Sequence, residues 1–286
     1  VIHNIEDEEF NSFEVFEAIR LTNLYPDIVK IIAVGNEAMV HWASGYFVTP
    51  DIILNWVNYL QNLKKKNKLP KDTWITSSDN FAAWGGGDDV YHTEDLINLI
   101  NAVDYISMHT YSFHDTHYNP SFWNHSNEAL TEIAKAEELM LKSKEYSKSQ
   151  FLSVRKFLDS IGVNKQVHIG ETGWASIDNS FYGPEGTRAA DEYKQYLYFN
   201  HMNDLCEELQ ISCFYFSAFD EPWKDFANIS GSENHFGLFT EEGKAKYLMW
   251  DSVDAELFNG LQRGNGKITK TYEGDKELLI KDIKNP

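Results

Sequence analysis

Two glutamates stand where a parallel α/β fold concentrates its chemistry. Glu37 closes the run Ala33-Val34-Gly35-Asn36-Glu37, and Glu171 sits in Gly170-Glu171-Thr172-Gly173-Trp174. Each follows an apolar, β-branched stretch, and functional side chains in such folds gather at the C-terminal ends of strands, where the loops converge. Paired carboxylates suit cleavage of a glycosidic bond. One, with a raised pKa, protonates the leaving oxygen, while the other attacks or stabilises the oxocarbenium-like centre. A lone glutamate would read first as an ion-pair partner; two in this setting read as a functional pair. The remaining strand ends are polar as well: Ser77-Ser78-Asp79-Asn80, His109-Thr110-Tyr111 and Phe219-Asp220-Glu221-Pro222-Trp223-Lys224.

Other groups carry weaker signals. The chain holds 8 Trp, 15 Tyr and 18 Phe, and Trp42, Phe81, Trp84, Tyr91, Trp123, Trp174 and Trp223 lie beside Gly, Asp or Asn in loops. Aromatic faces stack on the C–H face of a pyranose, although any one of these residues would ordinarily be core or rim packing. His114-Asp115-Thr116-His117 has no third ligand in evidence, so no metal is expected there. Gly85-Gly86-Gly87-Asp88-Asp89 lacks the Lys-Ser/Thr of a phosphate loop and reads as a flexible rim loop. Neither metal nor organic cofactor is called for.

These side chains must be positioned by a scaffold, and five near-continuous apolar runs supply it: Val29–Val34, Trp74–Ser77, Val103–Met108, Gln166–Ile169 and Ile211–Phe216. Such runs predict parallel strands covered on both faces. The helices between them carry start and stop signals. Asn11 with Glu14 makes a capping-box pattern before Phe13, Phe16 and Leu24. Thr49-Pro50 precedes Ile53, Val57, Leu60 and Leu63. Thr93 opens Leu96–Ile100, Ser126 begins a long helical region closing near Gly162, and Thr187 starts a helix through Leu209. Alternating strand and helix predicts right-handed crossovers and a parallel sheet. The tail after Leu261 is polar, with β-like runs around Ile268 and Leu278, and reads as a terminal hairpin or an appended segment.

Composition limits the partners. The 286 residues are 42% hydrophobic, with 44 acidic against 25 basic side chains and a formal net charge of −19. So negative a surface repels phosphate backbones, which argues against nucleic acid. No stretch approaches the roughly 20 apolar residues of a membrane span. Cys206 in a helical run and Cys213 in a strand read as buried thiols, with a disulfide between them left open.

Val34-Gly35-Asn36-Glu37, Gly170-Glu171-Thr172-Gly173-Trp174, Phe219-Asp220-Glu221-Pro222-Trp223-Lys224 and Phe236-Gly237-Leu238-Phe239 together resemble glycoside hydrolase family 17, the family of β-1,3-glucanases, β-1,3-1,4-glucanases and related glucanosyltransferases. They occur in that family's order from barrel strand four to strand eight. The resemblance implies a (β/α)8 TIM barrel and retention of anomeric configuration, with the two carboxyl groups roughly 5–5.5 Å apart. It implies Glu37 as acid/base, Glu171 as nucleophile and Asn36 as a donor to the sugar 2-hydroxyl. Asp79, His109, Tyr111, Trp174, Trp223 and Phe236 are expected along the sugar site, with Tyr111 donating to Glu171. Glu221, Lys224 and Glu233 are expected to form a charge network supporting Glu171. His109-Thr110-Tyr111 departs from the family's more usual tyrosine–proline–tyrosine pattern.

Strands one to three of such a barrel have no counterpart here. The expectation is a catalytic barrel over residues 1–261, short of an N-terminal segment on the order of a hundred residues, followed by a tail over 262–286. The activity expected is retaining endo-hydrolysis of β-1,3-glucan. The alternatives are a glucanosyltransferase using the same carboxylates, or a glucan-binding module that does not cleave. The expected partner is a β-glucan, the expected state a monomer. The place of action follows from the polymer: secreted, periplasmic or cell-surface.

Overall fold

The computed structural model describes residues 8–264 and 266–286. In chain order the elements are α1 (Glu8–Leu24), β1 (Ile31–Asn36), α2 (Pro50–Lys65), β2 (Trp74–Asn80), α3 (Glu94–Ala102), β3 (Ile106–His109), α4 (Ser112–Tyr118), α5 (Glu132–Ser160), β4 (Val167–Thr172), α6 (Glu192–Leu209), β5 (Cys213–Tyr215), β6 (Lys244–Ala245), α7 (Trp250–Asp254), β7 (Gln262–Arg263), β8 (Gly266–Lys267), β9 (Thr269–Lys270) and α8 (Lys276–Lys281). They divide into two compact units. The first takes the described residues up to Thr110 together with Ser149–Glu171, and the second takes Tyr111–Lys148 with Thr172–Pro286.

In the first unit β1, β2, β3 and β4 hydrogen-bond in that order, all parallel, with Ile32 opposite Ile75, Ser78 opposite Ser107 and Ile106 opposite Val167. The register slips between Ala33 and Asn36 and again between Met108 and His109. Such irregularities re-aim side chains at strand ends, and both fall beside candidate site residues. The strands sit where the apolar runs place them but with shifted bounds. β2 and β4 run on through polar residues to Asn80 and Thr172, because the ladder continues wherever an inward polar side chain finds a partner. Helix α2 buries Ile53, Val57 and Leu60, spaced four and three apart, and α3 buries Leu96, Leu99 and Ile100. Each such side chain contributes roughly 1.5–3 kcal/mol on leaving water. Thr49 and Thr93 cap these helices as expected, Thr93 Oγ1 accepting from the Leu96 N–H at 3.2 Å.

The glycine-rich loop is not a loose rim. A Cβ at Gly85 would lie 2.1 Å from Phe157, at Gly86 2.5 Å from Ser153 Oγ, and at Gly87 2.6 Å from Ala82 Cβ. Gly85 also has φ +87°, so the glycines allow close packing rather than motion. Trp84 beside them is buried and donates from Nε1 to the Ser107 carbonyl at 2.9 Å. Helix α1 starts at Glu8, with acidic residues in its first turn where the helix dipole favours them. Asn11 is therefore inside the helix and not at its cap. The helix also turns Phe10, Phe13, Phe16, Leu21 and Leu24 outward.

In the second unit Ala136, Tyr193, Trp250, Leu279 and Ile283 share a core. Helix α5 begins at Glu132 instead of Ser126. Thr131 Oγ1 accepts from the Ala134 N–H at 3.2 Å, while Ser126 is spent on Glu138, giving its N–H and its hydroxyl at 2.9 Å each. Likewise α6 starts after Asp191, which accepts from the Lys194 N–H at 2.7 Å, four residues beyond Thr187. Cys206 and Cys213 are free thiols. In the tail, β7 pairs antiparallel with β8 and β9 pairs with β6, so no strand forms at the second β-like run. The run around Leu278 is helical, because Asp275 Oδ1 accepts from the N–H groups of Glu277 and Leu278 at 2.8 and 3.3 Å.

Candidate active site

The sequence Gly35-Asn36-Glu37 brings β1 to an abrupt end. Asn36 is the strand's last residue, and Glu37 has φ +50°, a left-handed conformation that costs a non-glycine residue about 1 kcal/mol or more and recurs at functional sites. It is held there by its N–H, which donates to the Ser78 carbonyl at 2.9 Å. Ala38, Met39 and Val40 are buried immediately after it, so the loop is anchored on both sides of the carboxylate.

Asp79 on β2 fastens that anchor. Its Oδ2 accepts from the Met39 N–H at 2.8 Å and its Oδ1 from the Asn80 N–H at 2.9 Å. The side chain is fully buried, and burial pushes its carboxyl up to about 7 against the pull of those donors and of His109. It is a support beneath the loop, with no surface to offer a sugar.

His109 ends β3 beside both glutamates. Its Nδ1 lies 3.0 Å from Glu37 Oε1 and its Nε2 lies 2.7 Å from Ser78 Oγ, which is 2.9 Å from Ser107 Oγ. On the backbone His109 stands opposite Glu171, and the Thr110 N–H donates to the Glu171 carbonyl at 3.1 Å. The imidazole is 0% exposed while the Glu37 side chain is 39% exposed. The histidine therefore stands behind the glutamate, where the sequence reading had it lining the sugar site. Burial opposes a charge on His109, but the hydrogen bond to Glu37 and the fields of Glu171, Glu37 and Asp79 outweigh it and hold its pKa above the ordinary value.

Small residues make this arrangement possible. A Cβ at Gly170 would fall 2.0 Å from Ser107 Oγ and 2.5 Å from Ser78 Oγ, and one at Gly35 would fall 2.7 Å from Ser77 Oγ. Glycine at 170 thus lets the serine pair pass behind Glu171. Ser78 and Ser107 were missed by sequence reasoning; the available signal was a hydroxyl at an inward position of an otherwise apolar strand. Tyr46 was missed too. After burial, the charges of Glu37 and Asp79 push its hydroxyl up, which puts the ring within their field.

The second unit holds the remaining candidates. Trp174 is 0% exposed, donates from Nε1 to the Ala189 carbonyl at 2.9 Å and packs on Phe113 and Tyr198. Phe236 is buried among Phe113, Tyr111 and Phe216. Neither has a face free for a sugar, which corrects their assignment as binding surfaces: apolar contacts on all sides win such rings for the core. Tyr111 is half-buried, its ring 5.2 Å from that of His114, and Trp223 is exposed. Glu221 and Lys224 pair at 3.4 Å, with the ammonium 4.0 Å over the Phe216 ring, and Glu233 lies 4.0 Å from His114 Nε2. The unit's buried charges centre elsewhere. Lys246 Nζ donates to Asp220 Oδ1 at 2.6 Å, Ser176 Oγ at 2.7 Å and the His235 carbonyl at 3.0 Å. Nothing in the motif-poor stretch Ala245-Lys246-Tyr247 announces that role.

What the first unit can do chemically is specific. An accessible carboxyl, Glu37, is backed by a buried imidazole, and a second carboxylate, Glu171, stands on the strand beside that of His109. Carboxyl groups so placed are of the kind that acid/base and nucleophilic work requires.

Comparison with known proteins bears on the family. Residues 1–237 match the model of the BtgE/BtgC glycoside hydrolase domain. A solved endo-laminarinase from Formosa Hel1_33_131 is 56% identical, with a TM-score of 0.94 over 96% of this chain and 70% of that one. A glucan 1,3-beta-glucosidase of Arthroderma benhamiae is 25% identical over 232 residues, 77% of this chain. The chain spans 61% of that enzyme's length. Plant beta-glucan endohydrolases share the fold at 16% identity, with a TM-score of 0.52 over 79% of this chain and 75% of theirs.

Proposed function

The chain belongs to the BtgE/BtgC glycoside hydrolase domain family, and from that premise we propose that it hydrolyses β-1,3-glucan of the laminarin type with retention of configuration. The observation that carries the reading is the pair of strand-end glutamates flanking His109, in a chain 56% identical to an endo-laminarinase. Glu171 attacks the anomeric carbon while Glu37 protonates the departing sugar. Glu37 then takes a proton from the incoming water, whose oxygen displaces Glu171. Asn36, adjacent to Glu37, holds the 2-hydroxyl, a contact that strengthens as the oxocarbenium ion develops.

The finer fold is the (β/α)8 barrel of glycoside hydrolase family 17, with the strands seen here as its fourth to eighth. An apolar outer face on α1 and the exposed Ala33 and Asn36 of β1 support further strands against this side, since large exposed apolar patches mark contacts. The catalytic part is residues 1–261. A polymeric glucan implies action outside the cell, as a monomer. Among the described residues no helix is long and apolar enough to cross a membrane.

The test is reducing-sugar release by the full-length protein from laminarin, mixed-linkage β-glucan and cellulose side by side. Release from laminarin supports the proposal. Elongated products at high oligosaccharide concentration replace it with a glucanosyltransferase, and tight binding without cleavage replaces it with a binding module.

A further inference from the structure

His109 is a titratable group of the site whose chemistry the double displacement does not use. Its ring is enclosed, with Glu37 in front, the Ser78–Ser107 hydroxyl pair behind and no exposed surface. It therefore cannot meet a sugar directly. Resting on the reading of Glu37 as acid/base, we propose that Glu37 and His109 work as a dyad. His109 is the positioning residue: it binds Oε1 of Glu37 and so aims the carboxyl at the glycosidic oxygen.

The argument begins with the tautomer. Toward a carboxylate Nδ1 must carry the proton, and Nε2 then either accepts from the Ser78 hydroxyl or, in the charged ring, donates to it. Ser78 serves both states because its hydroxyl can turn, with Ser107 Oγ at 2.9 Å as the alternative partner. The Nδ1–H···Oε1 bond restrains the carboxyl plane of a side chain that is 39% exposed. In the first step the Oε2–H bond breaks, and its proton goes to the leaving oxygen as the C1–O bond breaks. The carboxylate that remains is met by the same Nδ1–H, now in a charge-assisted bond. In the second step a water O–H bond breaks, its proton returns to Oε2 and its oxygen joins C1 as the bond between C1 and the Glu171 carboxylate breaks. His109 keeps its proton throughout.

The charged groups around the dyad set its balance. Glu37 from the end of β1, Asp79 from β2 and Glu171 from β4 all face the imidazole and favour its charged form. The Tyr46 hydroxyl faces Glu37 and Asp79, and the Tyr91 hydroxyl faces Asp79. Three carboxylates around one histidine favour a charged ring, and a neutral replacement of one removes its share of that support.

Two measurements test the dyad. Histidine ring NMR on the unliganded protein follows the titration midpoint of His109, and Glu37→Gln is expected to lower it by about one pH unit or more. A midpoint unmoved by that variant overturns the proposal, and this readout stands whether or not the protein cleaves β-1,3-glucan. Kinetics give the second. His109→Gln is expected to lose about tenfold or more in kcat on laminarin, whose leaving group needs a proton. On 2,4-dinitrophenyl β-laminaribioside, whose leaving group needs none, azide is expected to restore its rate, replacing water that would need a base. A variant equally slow on both substrates and deaf to azide marks His109 as a packing residue only and overturns the dyad. Silence of the native protein on laminarin with the NMR coupling intact would remove the proposed function and leave the dyad.

Discussion

The two units bury charge in opposite ways. In the first, the Glu37, Asp79 and Glu171 carboxylates face a single imidazole, His109, so like charges crowd together and protonation is the way to relieve them. In the second, buried charges come with fixed opposite partners: Lys246 with Asp220, and Lys194 with Asp191. Each ammonium is further satisfied, by Ser176 Oγ and the His235 carbonyl in one case and by the Lys284 carbonyl at 2.6 Å in the other. An unbalanced cluster is poised to exchange protons with a substrate, whereas a balanced one holds a fold. The first unit gives up stability for chemistry, and the second spends its ionic groups on structure.

The sharpest break in that comparison comes from neutralising one carboxylate. Glu171→Gln is expected to lower kcat on laminarin by more than about 10⁴-fold, on the scale of losing a nucleophile. Glu37→Gln is expected to lower it by about 10²–10⁴-fold. Thermal unfolding midpoints should stay level or rise, because each change relieves crowding in the first unit. A large drop in midpoint with either variant would make these residues structural and erase the contrast. Lys246→Ala should do the reverse. It leaves Asp220 buried without its cation, at a cost of about 3–5 kcal/mol, read as a shift in urea midpoint at unchanged slope.

Acidity separates the units on a finer scale. Asp79 holds its proton to about 7 when folded but to its ordinary 3.8 when unfolded. The folded state therefore binds the extra proton between those values, and stability falls as pH rises from about 4 to about 7. The full span is worth on the order of 4 kcal/mol. His109 acts in the same direction: its raised folded pKa gives stability that is complete below the ordinary histidine value and lost as pH climbs through the folded one. Burial also pushes Glu192 up in the second unit, so the variant carries the comparison and the overall slope does not. Asp79→Asn should flatten the fall in unfolding free energy between pH 4 and 8, and a slope that survives it would place the titrating group elsewhere.

Legibility in the sequence followed the same division. The strands and both glutamates of the first unit were readable, because continuous apolar runs and a charged strand end are local signals. The role of His109 was not, because a histidine at a strand end looks alike whether it faces a sugar or stands behind a glutamate. That difference lies in Ser78, Ser107 and Gly170, which come from three separate segments. In the second unit the motif around Glu221 was visible, yet Asp220 and Lys246 carry the buried charge across 26 residues of sequence. Trp84, Trp123 and Trp174 looked like loop aromatics and proved to be core. Flanking glycine or aspartate reports the backbone at a tryptophan and says nothing of what packs on its ring.

Of the loop tryptophans singled out in the sequence, two kept their faces open, one in each unit. Trp42, five residues past Glu37, is 65% exposed, and Trp223, two past Glu221, is 63% exposed. An indole so exposed contributes little to folding, so removing it should leave the unfolding midpoint unchanged. A stacked sugar ring is worth about 0.5–1.5 kcal/mol, which is roughly a two- to tenfold rise in KM. Trp42→Ala is expected to raise KM on laminarin by that amount with kcat within about twofold, and so is Trp223→Ala. Because Trp42 shares its loop with Glu37, the proposed proton donor to the leaving sugar, its loss should also shift the sizes of the products released, and loss of Trp223 should not. Equal product profiles from both variants would strip Trp42 of any place on the leaving-group side. A fall in kcat without a rise in KM would mean that the loop works by holding Glu37 and not by holding glucan.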